Sequence, residues 1–192
     1  MKSDDNPKPP QARGQRRSEV WIGSVRMFVA PKEWPPFLAE ALAEEEDTYM
    51  VLSADPEVLD TREQTEELMA EMLKTNPVVP GSVIVKEGHP LFLLAVVHDL
   101  SQEPSWKEEW IASVLDGIFR EAETRKLRSI ALPLLGTLHG SLEKQRFLVL
   151  LREALERSSP EHLAQLWLVV PAGTTREVLG ILASISPSPF PP

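Results

Sequence analysis

The chain has 192 residues, 42% of them hydrophobic, and a formal net charge of −9 from 29 acidic and 20 basic side chains. That apolar share fills one packed domain and not comfortably two, and the acidic balance disfavours a broad nucleic-acid surface. There is no cysteine, which excludes disulfides, thiolate zinc sites and cysteine nucleophiles; no apolar run is long enough to span a bilayer and the N-terminus is polar, so the expectation is a soluble, cytoplasmic protein without a membrane partner.

Residues 1–18 gather Lys2, Lys8, Arg13, Arg16 and Arg17 against Asp4 and Asp5, with Pro, Gln and Ser and almost nothing apolar. They read as a disordered basic tail. Val20–Val29 (VWIGSVRMFV), with β-branched and aromatic residues, reads as a first strand. Pro35 and Pro36 open a predicted helix that Phe37–Glu46 continues with strong helix formers, leaving Glu44, Glu45, Glu46 and Asp47 as its solvated end. Tyr49–Leu52 (YMVL) reads as a short buried strand. Thr61–Lys74 places Leu68, Met69, Met72 and Leu73 at helical spacing behind Thr61 as an N-cap.

Ser82–Lys86 and Leu91–His98 read as a hairpin around Gly88. Ser105–Lys126 is an amphipathic helix carrying Trp106, Trp110, Ile111, Val114, Leu115, Ile118 and Phe119. Arg128–Leu132 reads as strand, Leu142–Arg157 as helix, Leu166–Val170 as strand and Thr175–Ser184 as helix. Residues 186–192 (SPSPFPP) form a Pro-rich tail biased to polyproline II. Six strands and five helices, mostly alternating, predict one α/β domain over residues 19–185 with a mixed sheet and right-handed crossovers. Ligands of such sheets gather at the carboxyl ends of the strands.

At one such end lies SIALPLLGTLHGSL (Ser129–Leu142), a strand, a proline and a turn with two glycines. It resembles the late strand–loop–helix segment of macro domains, the ADP-ribose-binding α/β/α modules, in which a glycine-containing loop wraps the distal phosphate and ribose. Pro77–Asp99 resembles that family's hairpin, which often ends in a Val/Ile-His pair, and the order of later elements is similar. The resemblance covers Val20 to about Ser184 and implies a three-layer α/β/α sandwich with a mixed six-stranded sheet. It implies an ADP-ribose-like small molecule as partner.

The family's Val-Asn-Ala-Ala-Asn segment corresponds to Met50-Val51-Leu52-Ser53-Ala54-Asp55, with Leu52 and Asp55 where the two asparagines stand. Asp55 accepts ribose hydroxyls but donates nothing when ionised. No glycine occurs between Asp55 and Gly81, so the family's first glycine loop, which meets the diphosphate by close backbone approach, is replaced by TREQTEELM with Glu63, Glu66, Glu67 and Glu71 nearby. The second loop keeps Gly136 and Gly140, while Leu138 and Ser141 stand where further glycines are common. If position 138 needs φ > 0, leucine there costs about 1 kcal/mol. A helix N-terminus at Gly140–Ser141, with the Thr137 and Ser141 hydroxyls, would attract an anion.

Each of these residues also has a plain structural reading. Gly136–Ser141 is a phosphate loop or a strand-to-helix turn; His139 lines a groove or tips a loop; Asp55 is a ribose contact or a turn-former before Pro56. His98 and Asp99, with Ser53, do not make a hydrolytic triad, because neighbours on a strand face opposite ways and no Gly-x-Ser-x-Gly elbow is present. The four histidines lack paired metal spacing. The sequence therefore assigns no catalytic residue, no metal and no cofactor. It predicts a divergent macro-like domain that weakly binds ADP-ribose or a related nucleotide through Asp55, Gly136, Thr137, Leu138, His139, Gly140 and Ser141; were it an enzyme, it would hydrolyse ADP-ribosyl or nucleotide phosphate bonds. The alternative is a ligand-free macro fold acting as a protein-interaction or dimerisation module.

Overall fold

The computed structural model describes residues 19–52 and 76–185. The first apolar run is two strands rather than one. β1 (Glu19–Ile22) and β2 (Val25–Ala30) pair antiparallel, with Ile22 opposite Val25. Gly23, at φ +57°, supplies the left-handed residue of a turn this tight. Along β2 the period of two is strict: Val25, Met27 and Val29 are buried and the residues between them are half-buried.

The predicted helix over Phe37–Glu46 is a strand. β3 (Ala41–Asp47, ALAEEED) lies between two others, its backbone paired in parallel on both sides. Ala, Leu and Glu favour helices by tenths of a kcal/mol per residue, about what one or two ladder bonds outweigh in a central strand. The predicted strand at Tyr49–Leu52 is the turn that leaves β3, with Met50 at φ 61°. The expected helix at Thr61–Lys74 lies outside the described residues.

β4 (Val83–Lys86) and β5 (Leu91–His98) form the expected antiparallel hairpin. α1 (Glu108–Arg125) follows and buries Ile111, Val114, Leu115, Ile118, Phe119 and Ala122, an i, i+3, i+4 stripe. It stops at Lys126, which takes the left-handed conformation and donates its N–H to Ala122 and Glu123 carbonyls. Then come β6 (Ser129–Pro133), α2 (Lys144–Ser158), β7 (Gln165–Val169) and α3 (Thr175–Ile185).

The seven strands of the described residues form one mixed sheet in the order β1-β2-β7-β6-β3-β5-β4, one strand more than expected because the first run folds into two. The inner five run parallel and each edge pair is antiparallel. All three described helices share one core with one face of this sheet, to which β5 contributes Leu91, Leu93, Ala95 and Val97. α1 and α2 lie side by side and point the same way, as successive right-handed crossovers require. Arg146 near the start of α2 meets Glu108 (2.5 Å) at the start of α1, and Arg157 near its end meets Asp116 (2.7 Å). Both pairs are half exposed and add little stability.

Candidate functional site

The inner strands end together at Ala30, Val169, Pro133, Asp47 and His98. In sequence β6 is followed by β7, which lies on one side of it; the strands that come after β3, β4 and β5, lie on the other side. The carboxyl ends of β3 and β6 therefore flank a topological switch point, where open α/β sheets form their ligand crevice. These two strands pair only at Ala41 with Ile130 and Leu42 with Ala131, near their starts. Beyond that no ladder pairing joins them, which leaves a gap in the ladder up to the turn that follows β6.

That turn holds itself together. Thr137 donates both its N–H (3.1 Å) and its hydroxyl (2.7 Å) to the Leu134 carbonyl. Leu142 N–H closes the loop onto the Gly136 carbonyl at 3.2 Å. Gly136 sits at φ +73°, and a Cβ there would meet Ile111 Cδ1 at 2.4 Å. A Cβ on Gly140 would meet the Gly136 carbonyl oxygen at 2.5 Å and the Trp106 ring at 2.8 Å. Both glycines thus answer first to packing: one to Ile111 on α1, the other to Trp106 just before it. Leu138 does not take a positive φ, so the expected strain is absent. Its side chain is 76% exposed. The helix begins at Lys144, behind an uncapped Glu143, and not at Gly140–Ser141. Among the described residues, the N–H groups of Leu138, His139, Gly140 and Ser141 have no hydrogen-bond partner.

The gap itself is spanned by a carboxylate. Glu45 of β3 accepts the Gly136 N–H on Oε2 (3.2 Å), and its Oε1 is hydrogen-bonded to His98 Nε2 at the end of β5. The His98 side chain is 2% exposed and that of Glu45 10%. His98 Nδ1 faces the Ser105 hydroxyl at 3.4 Å, and the exposed His139 ring stands edge-on to His98 with centroids 6.3 Å apart. Trp106, bridged to His98 by backbone pairing, completes the wall beneath Gly140.

Glu46 and Asp47, both fully buried, behave similarly on the turn after β3. Asp47 Oδ1 accepts Tyr49 N–H (2.6 Å) and Oδ2 accepts Val51 and Leu52 N–H (3.0 Å each). Glu46 Oε1 accepts Asp47 N–H (3.1 Å) and Leu52 N–H (2.9 Å). Thr48, 2% exposed, carries a hydroxyl without a partner among the described residues. Asp99, next to His98, is engaged in its own turn. The Ser101 hydroxyl, 2.6 Å from Oδ1, holds its carboxyl below the usual range, helped by Ser101 N–H, Gln102 and the Lys107 charge and opposed by partial burial.

Of the residues expected at the site, Gly136, Thr137, Leu138, His139, Gly140 and Ser141 lie together on this loop, and Asp55 lies outside the described residues. The sequence reading missed Glu45, which it placed on a solvated helix end, and Trp106, which it placed on a helix face. The available signal was the run of four carboxylates closing a segment between two strands. A shallow groove lined by Asp116, Arg120, Glu123 and Arg157 lies at the opposite end of the strands, where Arg157 and Asp116 pair across it.

No sequence-family model matches the chain, and no curated protein matches it by sequence. Solved structures do. The Oceanobacillus iheyensis macrodomain with ADP superposes at a TM-score of 0.62 with 14% identity, over 86% of this chain and 94% of that one. The Thermus aquaticus DarG macrodomain gives 0.56 and 21% over 76% and 98%. The macro domain of ganglioside induced differentiation associated protein 2 gives 0.55 and 12% over 81% and 83%. With the crevice between β3 and β6 and the loop Gly136–Ser141 on the strand ends, these likenesses establish that the chain has the macro-domain fold.

Proposed function

We propose that residues 19–185 form a divergent macro module of a cytoplasmic protein, which weakly binds ADP-ribose or a related nucleotide in the crevice between β3 and β6. The observation that carries this reading is the row of N–H groups at Leu138, His139, Gly140 and Ser141, unpartnered among the described residues and facing no competing ladder. Successive free N–H groups at a strand-to-helix turn suit a phosphate. The fold neighbours support the choice of nucleotide: the Oceanobacillus iheyensis macrodomain is known with ADP, and a variant of it with ADPR. The exposed His139 ring would stack on the ligand's base or ribose, the Ser141 hydroxyl would bond a phosphate oxygen, and Asp55 would accept ribose hydroxyls.

Weakness follows from the loop's own bonds. The Thr137 hydroxyl already donates to Leu134, and the Gly136 N–H already has an acceptor in Glu45. No group in this reading positions a water for attack, so it includes no hydrolysis. Calorimetric titration with ADP-ribose, beside ADP and AMP, tests it. A dissociation constant of about 0.1–1 mM for ADP-ribose, some −4 to −5.5 kcal/mol, with weaker binding of AMP, is the expected outcome. No heat and no thermal shift at several millimolar ligand would end the reading.

One observation favours a second reading, a ligand-free module that self-associates. Among the described residues β1 is paired only with β2, leaving an edge, and it carries Trp21 at 59% exposure. Trp34 and Leu38, at 72% and 94%, are exposed on the connection after β2. An open edge beside exposed apolar side chains is a template for pairing with a second copy. Sedimentation velocity of the wild type and Trp21→Lys decides it: a dimer that the lysine dissociates supports this reading, and a monomer at all concentrations rejects it.

A further inference from the structure

Among the described residues, Gly136 is the one residue of the loop whose N–H is already occupied by an anionic group. Its acceptor, Glu45 Oε2, comes from a different strand, across the gap where β3 and β6 part. The other carboxylate oxygen is held by His98, whose ring is almost wholly buried. The carboxylate is therefore clamped: it cannot swing away to solvent without leaving both a buried imidazole N–H and a backbone N–H unsatisfied. A carboxylate and a phosphate seek the same donors, and two anions cannot share one N–H without strong repulsion at this depth.

We infer that Glu45 is an internal anion seated in the phosphate position of the loop, and that it sets the ligand specificity of the crevice by excluding a diphosphate from Gly136. The inference rests on the nucleotide reading above and deepens it. A ligand can still use the N–H groups of Leu138 to Ser141, but the innermost donor is closed to it unless Glu45 moves. Replacing Glu45 by glutamine tests this with little change of shape. The glutamine carbonyl oxygen keeps the bond from His98, and its amide group turns towards Gly136 as a donor facing a donor. The charge goes and the Gly136 N–H is released.

The full chain, wild type and Glu45→Gln, is titrated with ADP-ribose and separately with inorganic pyrophosphate, following the Gly136 amide by NMR beside the calorimetric isotherm. In the wild type the Gly136 amide stays put while amides of 138–141 move. In Glu45→Gln it moves with them, and ADP-ribose binds at least about tenfold tighter, the ratio one charge-assisted hydrogen bond recovers. Equal affinity in both proteins overturns the role of Glu45 and leaves the nucleotide reading standing. Pyrophosphate binding to the variant without ADP-ribose binding supports the role of Glu45 and overturns the nucleotide. Failure of both probes on both proteins overturns both. Should the variant not fold, the wild type alone still decides: a Gly136 amide that responds to pyrophosphate as strongly as its neighbours refutes the inference.

Discussion

Gly136 can be tested as a packing residue separately from any ligand. In Gly136→Ala the added Cβ would lie 2.4 Å from Ile111 Cδ1, far inside contact distance, at a φ of +73°. The left-handed backbone costs alanine about 1–2 kcal/mol, and forcing a methyl into a filled core about 1–3 kcal/mol, so the loss is roughly 2–5 kcal/mol. Gly23→Ala provides the control. Its φ is +57° but nothing lies within 4 Å of the new Cβ, so only the backbone cost applies. The difference between the two isolates the clash. Ile111→Val removes the offending Cδ1, and the Cγ1 that remains is 3.6 Å away, an ordinary contact. That change alone costs about 0.5–1.5 kcal/mol. Combined with Gly136→Ala it should be less damaging than the sum of the singles by about 1–3 kcal/mol. Urea unfolding followed by tryptophan fluorescence reads the four variants beside the wild type; in a chain of this size each kcal/mol moves Tm by roughly 2–4 °C. Strict additivity, or a Gly136→Ala no worse than Gly23→Ala, would refute the packing argument. The same geometry rules out charged substitutions at Gly136 as clean binding probes, since they would unfold the loop before they met a ligand.

Three further outcomes are expected. Leu138→Asp, at a side chain 76% exposed, should leave stability within about 0.5 kcal/mol while weakening ADP-ribose binding about tenfold or more in low salt by charge repulsion; equal affinity in the titration would place the ligand elsewhere. His98→Phe removes the donor to a Glu45 carboxylate that is 10% exposed and should cost about 3 kcal/mol in urea unfolding, an effect that Glu45→Gln in the same chain would partly restore. Burial works against ionisation of Glu123, but the His162 ring (2.9 Å) and the N–H groups of His162, Glu161 and Leu163 outweigh it and hold its carboxyl below the ordinary 4.5. Its contribution is therefore present above that value and lost as pH falls through the lower folded value, so Tm of Glu123→Gln should fall less steeply than that of the wild type on acidification below about pH 5.

Where burial dictates the pattern, the sequence was legible. LFLLAVVH announces a strand to the residue, because a run buried on both faces has no reason to alternate. The stripe from Ile111 to Ala122 announces its helix, and SIALP the strand into the loop. ALAEEED was not legible, since its local preference is helical and only the neighbours β5 and β6 make it a strand. Gly23-Ser24 was hidden inside a good strand pattern, although a glycine there is the ordinary mark of a turn. The site failed for the same reason as β3. Once Glu45 is placed on a helix end, nothing in the sequence brings it to Gly136, 91 positions away, or to His98.

The carboxylates of β3 follow one physical rule. At the carboxyl ends of parallel strands the chain turns away and leaves backbone N–H groups pointing at the crevice, and an anion completes them. The anion can be a bound phosphate or a side chain of the same molecule. Here Glu45 serves Gly136, while Glu46 and Asp47 serve Tyr49, Val51 and Leu52. A molecule that supplies its own anions folds without a ligand, and it gains less from one. A ligand at a hundred times its dissociation constant ordinarily adds about 2.7 kcal/mol of stability. A phosphate that reached Gly136 would have to displace Glu45 first, losing the two bonds that hold the carboxylate. ADP-ribose should consequently raise Tm in the wild type by much less than in Glu45→Gln at equal concentration. A wild-type shift as large as the variant's would mean that the ligand does not compete with Glu45 for the Gly136 N–H.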